Sequence, residues 1–455
     1  MPVSLSRRQF LRGCSAAIAA LAGARLTRLA FGATNAPNRE ILVVVFLRGG
    51  WDALNVLPPI AGADRALYEQ ARPNLRVAAG GAGGALSLNG QLGFHPALAP
   101  LLPFYQSQKL AVVQAVGLTA DTRSHFDAMQ FMELGTPGVK TTTSGWLTRH
   151  LQTAANLPPD VLFPALSAGG STALSLLGTS DAVAMSDPGG FRLDGYWGLI
   201  DEQRAALRDL YATTDPADWL RLAGTETLDT IDLVEQSANG NYVPANGAQY
   251  PGGSFGDNLR AVAQLIKMEV GLQVATVDLG GWDTHEYQGD SGEGYLAERL
   301  QELALGLAAL YTDLDGGCGA TFAQRTTILV MSEFGRRLRE NANHGTDHGH
   351  GSAMLALGGS VRGGQVYGTW PGLATGQLYD GYDLAVTTDY RRVLSEVLVR
   401  RLGQPLTNLG TIFPGYAGYT PLGVFNDAYA PVPPPAGPHS VFLPSVSRNA
   451  GQTCP

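Results

Sequence analysis

The segment from Glu40 to Asn55, EILVVVFLRGGWDALN, indicates the fold of this chain. Its first half is a nearly continuous apolar run rich in β-branched residues, which is typical of a strand buried on both faces. Two glycines then allow the backbone to turn tightly at the end of the strand, so that the aspartate that follows them points into a site there. The segment therefore predicts a buried strand that delivers a carboxylate at its carboxyl end.

The rest of the chain repeats this alternation of buried strands and helices. Four further strand patterns cover Lys109–Val116, Leu272–Leu279, Thr326–Met331 and Ala353–Leu357. Five helical patterns cover His95–Tyr105, Ser124–Leu134, Asp257–Val270, Gly294–Leu314 and Thr388–Leu402. This order predicts an α/β fold with a doubly wound, mainly parallel sheet and helices on both faces, over residues 34–425. Residues 181–251 are less strand-like and predict a helical insertion, as a cap or side layer.

The two ends of the chain have the composition of segments outside the fold. Ser6-Arg7-Arg8-Gln9-Phe10-Leu11, followed by an Ala-rich run, predicts a twin-arginine signal peptide over residues 1–33. The alternative is an amphipathic N-terminal helix. Export by the twin-arginine translocase would place the protein in the periplasm or outside the cell. The apolar run is about half the ~20 residues that span a bilayer, so no permanent membrane span is expected. Residues 426–455 predict a Pro-rich tail.

Composition narrows the chemistry that this chain can support. The chain has 455 residues, of which 45% are hydrophobic and 15% charged, so a large core is expected. The net charge is −8 and no basic run follows the signal, which argues against a nucleic-acid partner. Its three cysteines have no paired spacing, so any metal must be bound by carboxylates and imidazoles. A bridge between Cys318 and Cys454 is left open.

Carboxylates and histidines follow four of the predicted strands, in the phrases GGWDALN, RSHFDA, GGWDTH and SEFGRR, with GTDHGHG just beyond. Because strand ends of such sheets form the site, these side chains should converge there. Like charges repel, and one or two divalent ions (Zn, Mn, Mg or Ca) would resolve that repulsion. The predicted metal ligands are Asp52, Asp283, His285, Glu333 and His348. Additional or outer ligands are His125, His344, Asp347 and His350.

Each of these residues also has a structural alternative. Asp52 would be a helix cap, Asp283 with His285 a surface turn, and Glu333 a buried ion-pair partner of Arg336. The residues from His344 to His350 match neither a helix face nor a strand face, which favours a metal site; their alternative is a solvated loop. His95 would be a cap or an outer-sphere residue, and His150 and His439 structural or surface residues.

Ser124 and Arg123 are the predicted catalytic residues. Ser124 lies at the start of a helical pattern, where backbone amides and the helix dipole favour an anion. A metal beside the hydroxyl would help to deprotonate it. Arg123 would bind an oxyanion through two hydrogen bonds. The alternatives are that Ser124 only caps the helix and that Arg123 pairs with Asp127.

Taken together, GGWDALN, RSHFDA, GWLTRHL, GGWDTH, SEFGRRLREN, GTDHGHG and TTDYR resemble the domain-of-unknown-function 1501 (DUF1501) family, over Arg39 to Tyr416. That family is often exported and is similar to the alkaline phosphatase and sulfatase superfamily. The resemblance implies a doubly wound sheet, one or two metals, and a Ser, Thr or formylglycine nucleophile. By position, Asp52, Asp283, His285, Glu333 and His348 match metal ligands, and Ser124 matches the nucleophile.

This chain departs from the superfamily pattern at two points. Phe334, rather than a histidine, follows Glu333, and the spacing from Asp283 to His285 is shorter than in the phosphatases. One metal position is therefore weak, absent or completed by His125 or His350. No Cys-x-Pro-x-Arg phrase is present, which argues against formylglycine chemistry.

The predicted function is an exported metal-dependent hydrolase of a phosphate or sulfate ester, on a small molecule or a polysaccharide. The alternative is a periplasmic or cell-surface metal-containing binding protein with reduced catalysis. A third hypothesis, an exported redox protein, lacks a flavin, haem or molybdenum motif to support it.

Overall fold

A computed structural model describes residues 39–427, except 156, 158–160, 162–163, 180–181, 194, 196–197, 214, 216–217, 238–241 and 317–321. The predicted signal peptide, nearly all of the tail, His439 and both candidate bridge cysteines lie outside the described residues. No helix in the described part of the chain is long and apolar enough to cross a membrane.

Thirteen strands are found among the described residues. They are β1 (Ile41–Leu47), β2 (Leu86–Ser87), β3 (Gly93–Phe94), β4 (Leu110–Gly117), β5 (Ala165–Ala168), β6 (Ala182–Met185), β7 (Val274–Leu279), β8 (Thr326–Ser332), β9 (Arg336–Glu340), β10 (Thr346–His348), β11 (Ser352–Gly358), β12 (Val366–Tyr367) and β13 (Thr388–Asp389). All five predicted strands are confirmed, and the shorter ones were not predicted.

Helices cover both faces of the sheet and fill the connections. They are α1 (Ala53–Val56), α2 (Gly62–Ala71), α3 (Leu102–Gln106), α4 (His125–Leu134), α5 (Trp146–Thr153), α6 (Ile200–Tyr211), α7 (Trp219–Ser237), α8 (Ser254–Lys267), α9 (Tyr295–Leu314), α10 (Phe322–Arg325), α11 (Tyr390–Arg400) and α12 (Leu409–Ile412). The predicted helix over His95–Tyr105 is instead a 3₁₀ helix, Pro96–Leu101, followed by α3. Pro100, inside the 3₁₀ segment, lacks the amide that a continuous α-helix would use.

The central sheet has nine strands, in the order β12-β4-β11-β8-β1-β7-β5-β6, with β13 also paired to β4. Strand β1 lies in the middle and runs parallel to both β7 and β8. Only β11 runs antiparallel to its neighbours, β4 and β8. The predicted α/β fold with a mainly parallel sheet is thus confirmed.

Alternate residues of β1 enter two separate cores, as expected for a strand covered on both sides. Val43 and Val45 belong to a cluster that includes residues of α8 and α9. Val44 and Phe46 belong to a second cluster that includes residues of α4, α5 and α11. The helices therefore form a layer on each face, which makes the sheet doubly wound.

The segment predicted as an insertion contains one strand as well as two helices. Strand β6 pairs in parallel with β5 and ends the sheet on that side. Helices α6 and α7 pack together through Leu207, Tyr211 and Leu228, and Arg208 pairs with Asp229 across them. Strand β6 is only four residues long, and an alternating apolar pattern of that length cannot be recognised reliably in a sequence.

Candidate functional site

The carboxyl ends of β1, β7 and β8 approach so closely that glycine is required after β1. A Cβ added to Gly49 would lie 2.6 Å from the amide nitrogen of Asp283, and one added to Gly50 would lie 2.5 Å from the ring of Phe334. Both glycines also have positive φ, at 125° and 65°. The turn after β1 is therefore shaped to bring three strand ends together at one edge.

Three histidine side chains converge on a single carboxylate oxygen at this edge. The Nε2 atoms of His125, His285 and His348 each lie 3.1 Å from Oδ1 of Asp283. The Nε2 atoms of His285 and His348 are 2.8 Å apart. Three different segments supply these residues: the start of α4, the loop after β7 and strand β10. We call these four residues the imidazole cluster.

Each imidazole of the cluster is fixed through its other nitrogen. Nδ1 of His125 lies 2.7 Å from Oε1 of Glu333, and Nδ1 of His348 donates to the backbone oxygen of Arg123 at 2.7 Å. Nδ1 of His285 lies 3.3 Å from Oδ1 of Asp347. Metal-bound histidines typically use one nitrogen for the ion and donate from the other to a carboxylate or carbonyl. All three imidazoles follow that arrangement.

The donor atoms of the cluster are of the kind and spacing that could hold a metal ion. His125 Nε2 is buried and has no hydrogen-bond partner, although it lies beside Asp283. Metal–ligand bonds of roughly 2.0–2.2 Å place neighbouring donor atoms about 3 Å apart, as seen here. Among the described residues, His125, Asp283 and His348 form a group whose ligand atoms all lie within 4.8 Å of one another.

Arg336 holds the strand ends and Asp283 in place. This buried side chain donates to Gly50 O at 2.7 Å, to Thr346 O at 2.9 Å and to Asp283 Oδ1 at 2.6 Å. Burial alone would raise the pKa of Asp283, but the hydrogen bond and charge of Arg336 lower it well below its usual range. Asp283 is therefore a carboxylate, the form that binds a cation.

The pKa values of two of the imidazoles, His348 and His125, are shifted in opposite directions. Burial, with the positive charges of His125 and Arg336, lowers the pKa of His348 and favours its neutral form. Burial also disfavours the charged form of His125, but the hydrogen bond and charge of Glu333 outweigh it and raise the pKa of His125. A bound cation would compete with that proton, because a metal ligand must be deprotonated.

Phe334 forms one wall of the cluster. Its buried ring lies 4.7 Å from the ring of His125 and 5.1 Å from that of His348, measured between centroids. The residue that departs from the superfamily pattern therefore places an apolar ring against two imidazoles of the cluster. It offers no donor atom on that side of the cluster.

The structure places Asp52 in an ion pair, which corrects its prediction as a metal ligand. Its carboxylate is fully buried and accepts from Arg72 at 2.5 and 2.9 Å and from Gln288 at 2.6 Å. Asp52 precedes α1, but its side chain makes no capping hydrogen bond, so the alternative was also wrong. The guanidinium supplies the positive charge that a cation was expected to supply.

The contacts of Glu333 also differ from those expected of a metal ligand. It accepts from the amide of Gly49 at 2.9 Å and from Ser332 Oγ at 2.9 Å, and its remaining contact is His125. It therefore fixes the ring of His125 and is not among the atoms that converge on Asp283. The alternative ion pair with Arg336 is wrong, since Arg336 pairs with Asp283.

The His-rich phrase divides into separate roles. Residues Thr346–His348 form strand β10, paired antiparallel with β9, so the expected loop is a short hairpin strand. His344 is exposed and His350 stacks on Tyr379 at 4.0 Å, and neither joins the cluster. Asp347 orients His285. Strand β10 was not predicted, because small and titratable residues alternate in this phrase.

Ser124 and Arg123 have partners that match the structural alternatives in part. Ser124 is the N-cap of α4, and its Oγ accepts from the amide of Asp127 at 3.4 Å. The residue is nevertheless exposed. Arg123 donates to Asp383 at 2.7 Å and to Asp380 at 3.2 Å. Its predicted alternative partner, Asp127, pairs with Lys140 instead.

The two remaining described histidines have structural roles, as expected. His95 caps the 3₁₀ helix by accepting from the amide of Ala97 at 3.1 Å, and burial lowers its pKa to about 4. His150 is buried beside Gln404, and burial lowers its pKa to about 3. Neither side chain belongs to the cluster.

Sequence reasoning underrated three residues of the site. His125 was expected to be accessory, yet it supplies one of the converging nitrogens. Arg336 was considered only as a partner of Glu333. Asn341, which donates to Asp347 at 3.1 Å and to the backbone of His285 at 2.7 Å, was not considered. A useful signal was the position of His125 at the first turn of a helix that follows a buried strand.

A family model matches part of this chain, in agreement with the predicted resemblance to the DUF1501 family. The family described as "Protein of unknown function (DUF1501)" matches residues 204–405 of this chain. No curated protein matches the chain. A solved structure of a protein in the alkaline phosphatase superfamily from Vibrio parahaemolyticus is similar, with 12% identity and a TM-score of 0.31. The match covers 76% of this chain and 68% of that chain.

Proposed function

We propose that this chain is an exported hydrolase that uses one divalent ion to cleave a phosphate or sulfate ester. The ion would be held by the imidazole cluster, His125, Asp283, His285 and His348. The observation that carries this proposal is the convergence of three Nε2 atoms on Asp283 Oδ1 at 3.1 Å. The ligand atoms of His125, Asp283 and His348 all lie within 4.8 Å of one another, and each of these two imidazoles is held through its Nδ1.

The donor set narrows the choice of ion. Imidazole-rich sites suit transition metals, whereas Ca²⁺ and Mg²⁺ prefer sets of oxygen ligands. Of the four predicted ions, Zn²⁺ and Mn²⁺ therefore fit better than Mg²⁺ and Ca²⁺. A second ion has little support, because Asp52 is paired with Arg72 and Glu333 orients His125.

A bound ion would supply a Lewis acid for an ester oxygen and would lower the pKa of a bound water. Residues of the chain itself would supply the other groups around the substrate. Ser124 is exposed and directly precedes His125, which supports its assignment as the residue that meets the substrate. The first amides of the ten-residue helix α4 favour the negative charge of a phosphate or sulfate group. Arg336 keeps Asp283 ionised.

The organic part of the substrate is proposed to be a saccharide polymer rather than a compact small molecule. Among the described residues, the exposed large aromatic side chains are Phe126, Tyr287, Tyr295 and Tyr382. Three of the four lie close to residues of the cluster or to the turn that precedes Asp283. Phe126 follows His125, Tyr287 is two residues after His285, and the hydroxyl of Tyr295 approaches Gly281. Such rings provide apolar faces for sugar rings at the mouth of the site.

Metal content tests the ligand assignment. We expect about one Zn²⁺ or Mn²⁺ per chain in purified protein, and loss of that ion in His348→Ala and Asp283→Ala. His344→Ala is the matched control, since His344 is exposed and lies outside the cluster. Unchanged metal content in both cluster variants would overturn the assignment.

A panel of phosphate and sulfate esters tests the reaction. The metal-loaded protein should hydrolyse at least one ester, and Ser124→Ala should lower kcat by at least about tenfold if Ser124 is the nucleophile. A second candidate is a binding protein that keeps the ion without turnover. It is favoured by the paired state of Arg123 and the capping role of Ser124. Ligand affinity that survives Ser124→Ala without any turnover would select it.

Export is part of the proposal and has its own test. Replacing Arg7 and Arg8 with lysine should retain the full-length precursor in the cytoplasm if the twin-arginine route is used. Cell fractionation of tagged protein measures this. Equal export of the wild-type and Lys-Lys proteins would overturn the route and leave the metal site unaffected.

A further inference from the structure

A cleft of about 500 Å³ lies away from the residues of the imidazole cluster. We call it the Trp370 cleft. It is bounded by the segment that enters α2, by the loop between β2 and β3, and by Trp370, which lies between β12 and β13. The lining residues used below are Pro59, Asp64, Asn89, Gln91, Gln114 and Trp370. Its volume falls in the range of pockets that hold small ligands.

The aromatic wall of the cleft is fixed from behind. Trp370 Nε1 donates to Asp64 Oδ2 at 2.8 Å, and the other carboxylate oxygen accepts from the amide of Leu373 at 2.9 Å. Both oxygens of Asp64 are therefore engaged. The indole is held in position and the carboxylate is not left to attract a cation.

Amide side chains line the opposite part of the cleft. Asn89 Oδ1 accepts from the amides of Gln91 and Leu92 at 3.0 and 2.9 Å, which fixes the loop. Gln114 is more than nine-tenths buried, and its Nε2 donates to Gly368 O at 3.0 Å. Its Oε1 has no hydrogen-bond partner. A buried acceptor without a donor is destabilising, so a ligand hydroxyl that donates to Gln114 Oε1 would favour binding.

From this combination we infer that the Trp370 cleft binds a neutral saccharide unit. A fixed indole offers a flat face to the C–H groups of a sugar, and carboxamides offer both donors and acceptors to its hydroxyls. Within the described residues, the cleft lining includes no lysine or arginine, which disfavours a phosphate, a sulfate or a nucleotide. The cleft would hold part of a carbohydrate chain independently of any reaction at the imidazole cluster.

The experiment is calorimetric titration with neutral tetrasaccharides of glucose, galactose, mannose and xylose, with and without a chelator. We expect one of them to bind with equal affinity in both conditions, since the cleft does not use the metal. Ala63→Trp would fill the cleft from an exposed position of α2 and weaken binding at least about tenfold. Ala66→Trp, exposed on the same helix but outside the lining, is the matched control and should bind normally.

A second variant tests the buried acceptor. Gln114→Met keeps the length of the side chain and removes Oε1 together with the Nε2 that donates to Gly368 O, and it should weaken saccharide binding by about three- to tenfold. Failure of all four saccharides to bind would overturn the inference, as would equal binding by Ala63→Trp and Ala66→Trp. Binding that disappears with the chelator would also overturn it, because it would place the saccharide at the metal site.

Discussion

The tetrapeptide Gly-Gly-Trp-Asp occurs at the end of β1, as residues 49–52, and again after β7, as residues 280–283. The two copies lie side by side, and their tryptophans, Trp51 and Trp282, pack edge to face with ring centroids 6.0 Å apart. The two aspartates nevertheless have opposite surroundings. The side chain of Asp52 is 0% exposed, whereas that of Asp283 is 49% exposed.

The difference comes from the residues that face each carboxylate. Arg72, on the segment after α2, meets Asp52 with two nitrogens and neutralises it inside the protein. Asp283 shares its oxygen between Arg336 and three imidazoles, so a cation can still be added there. The same local motif thus serves stability at one strand and, as we propose, metal binding at the other.

The largest expected effect comes from removing the charge of each aspartate in turn. Asp52→Asn leaves Arg72 buried with no anionic partner and should lower the free energy of unfolding by about 3–5 kcal/mol, with metal content unchanged. Asp283→Asn should abolish metal binding but lower the stability of the metal-free protein by only about 1 kcal/mol, since Arg336 keeps its carbonyl partners. Urea unfolding in chelator and elemental analysis measure the two quantities.

These two variants are controls for each other, because the substitution and the surrounding motif are the same. Loss of metal in Asp52→Asn at full stability would reverse the comparison. A similar stability loss in both variants would show that Asp283 is chiefly a structural residue.

The glycines of the two copies offer a smaller contrast. Gly49→Ala would place a methyl group 2.6 Å from backbone, at a φ of 125°, and should lower stability by about 1–3 kcal/mol. At the matching position, a Cβ on Gly280 would have no atom within 4 Å. Gly280→Ala should therefore change stability by less than about 0.5 kcal/mol. Thermal unfolding of the two variants compares them, and equal shifts would contradict the tight approach of the strand ends.

Features of this structure that depend on neighbouring residues could be predicted from the sequence, whereas those that depend on residues far apart in the chain could not. The apolar runs of β1, β4, β7, β8 and β11 are local patterns, and all five strands were predicted from them. The partner of Asp52 was not predictable in the same way. Arg72 lies twenty residues away, and nothing in its own neighbourhood indicates that it turns inward.

The site was predicted as a region more accurately than as a set of ligands. Strand order brings the phrases after β1, β4, β7 and β8 to one edge, which follows from the fold class. Which side chain faces the ion and which one stands behind it depends on rotamers and on distances of a few ångströms. For that reason Glu333 was predicted as a ligand and His125 as an accessory residue, whereas we propose the reverse, since His125 Nε2 lies 3.1 Å from Asp283 and Glu333 contacts His125 from the other side.

Glu333 lies between the first copy of the motif and His125 and gives the last prediction. One carboxylate oxygen accepts from Gly49 and lies 2.7 Å from Nδ1 of His125, while the other accepts from Ser332 Oγ. Glu333→Gln keeps the shape and most hydrogen bonds but removes the charge behind the imidazole. We expect metal affinity to fall about 10–100-fold, measured by competition with a chromogenic chelator. Glu340→Gln is the control, because Glu340 accepts from the amides of Asn74 and Leu75 and should leave affinity unchanged. Wild-type affinity in Glu333→Gln would mean that this carboxylate serves only the turn after β1.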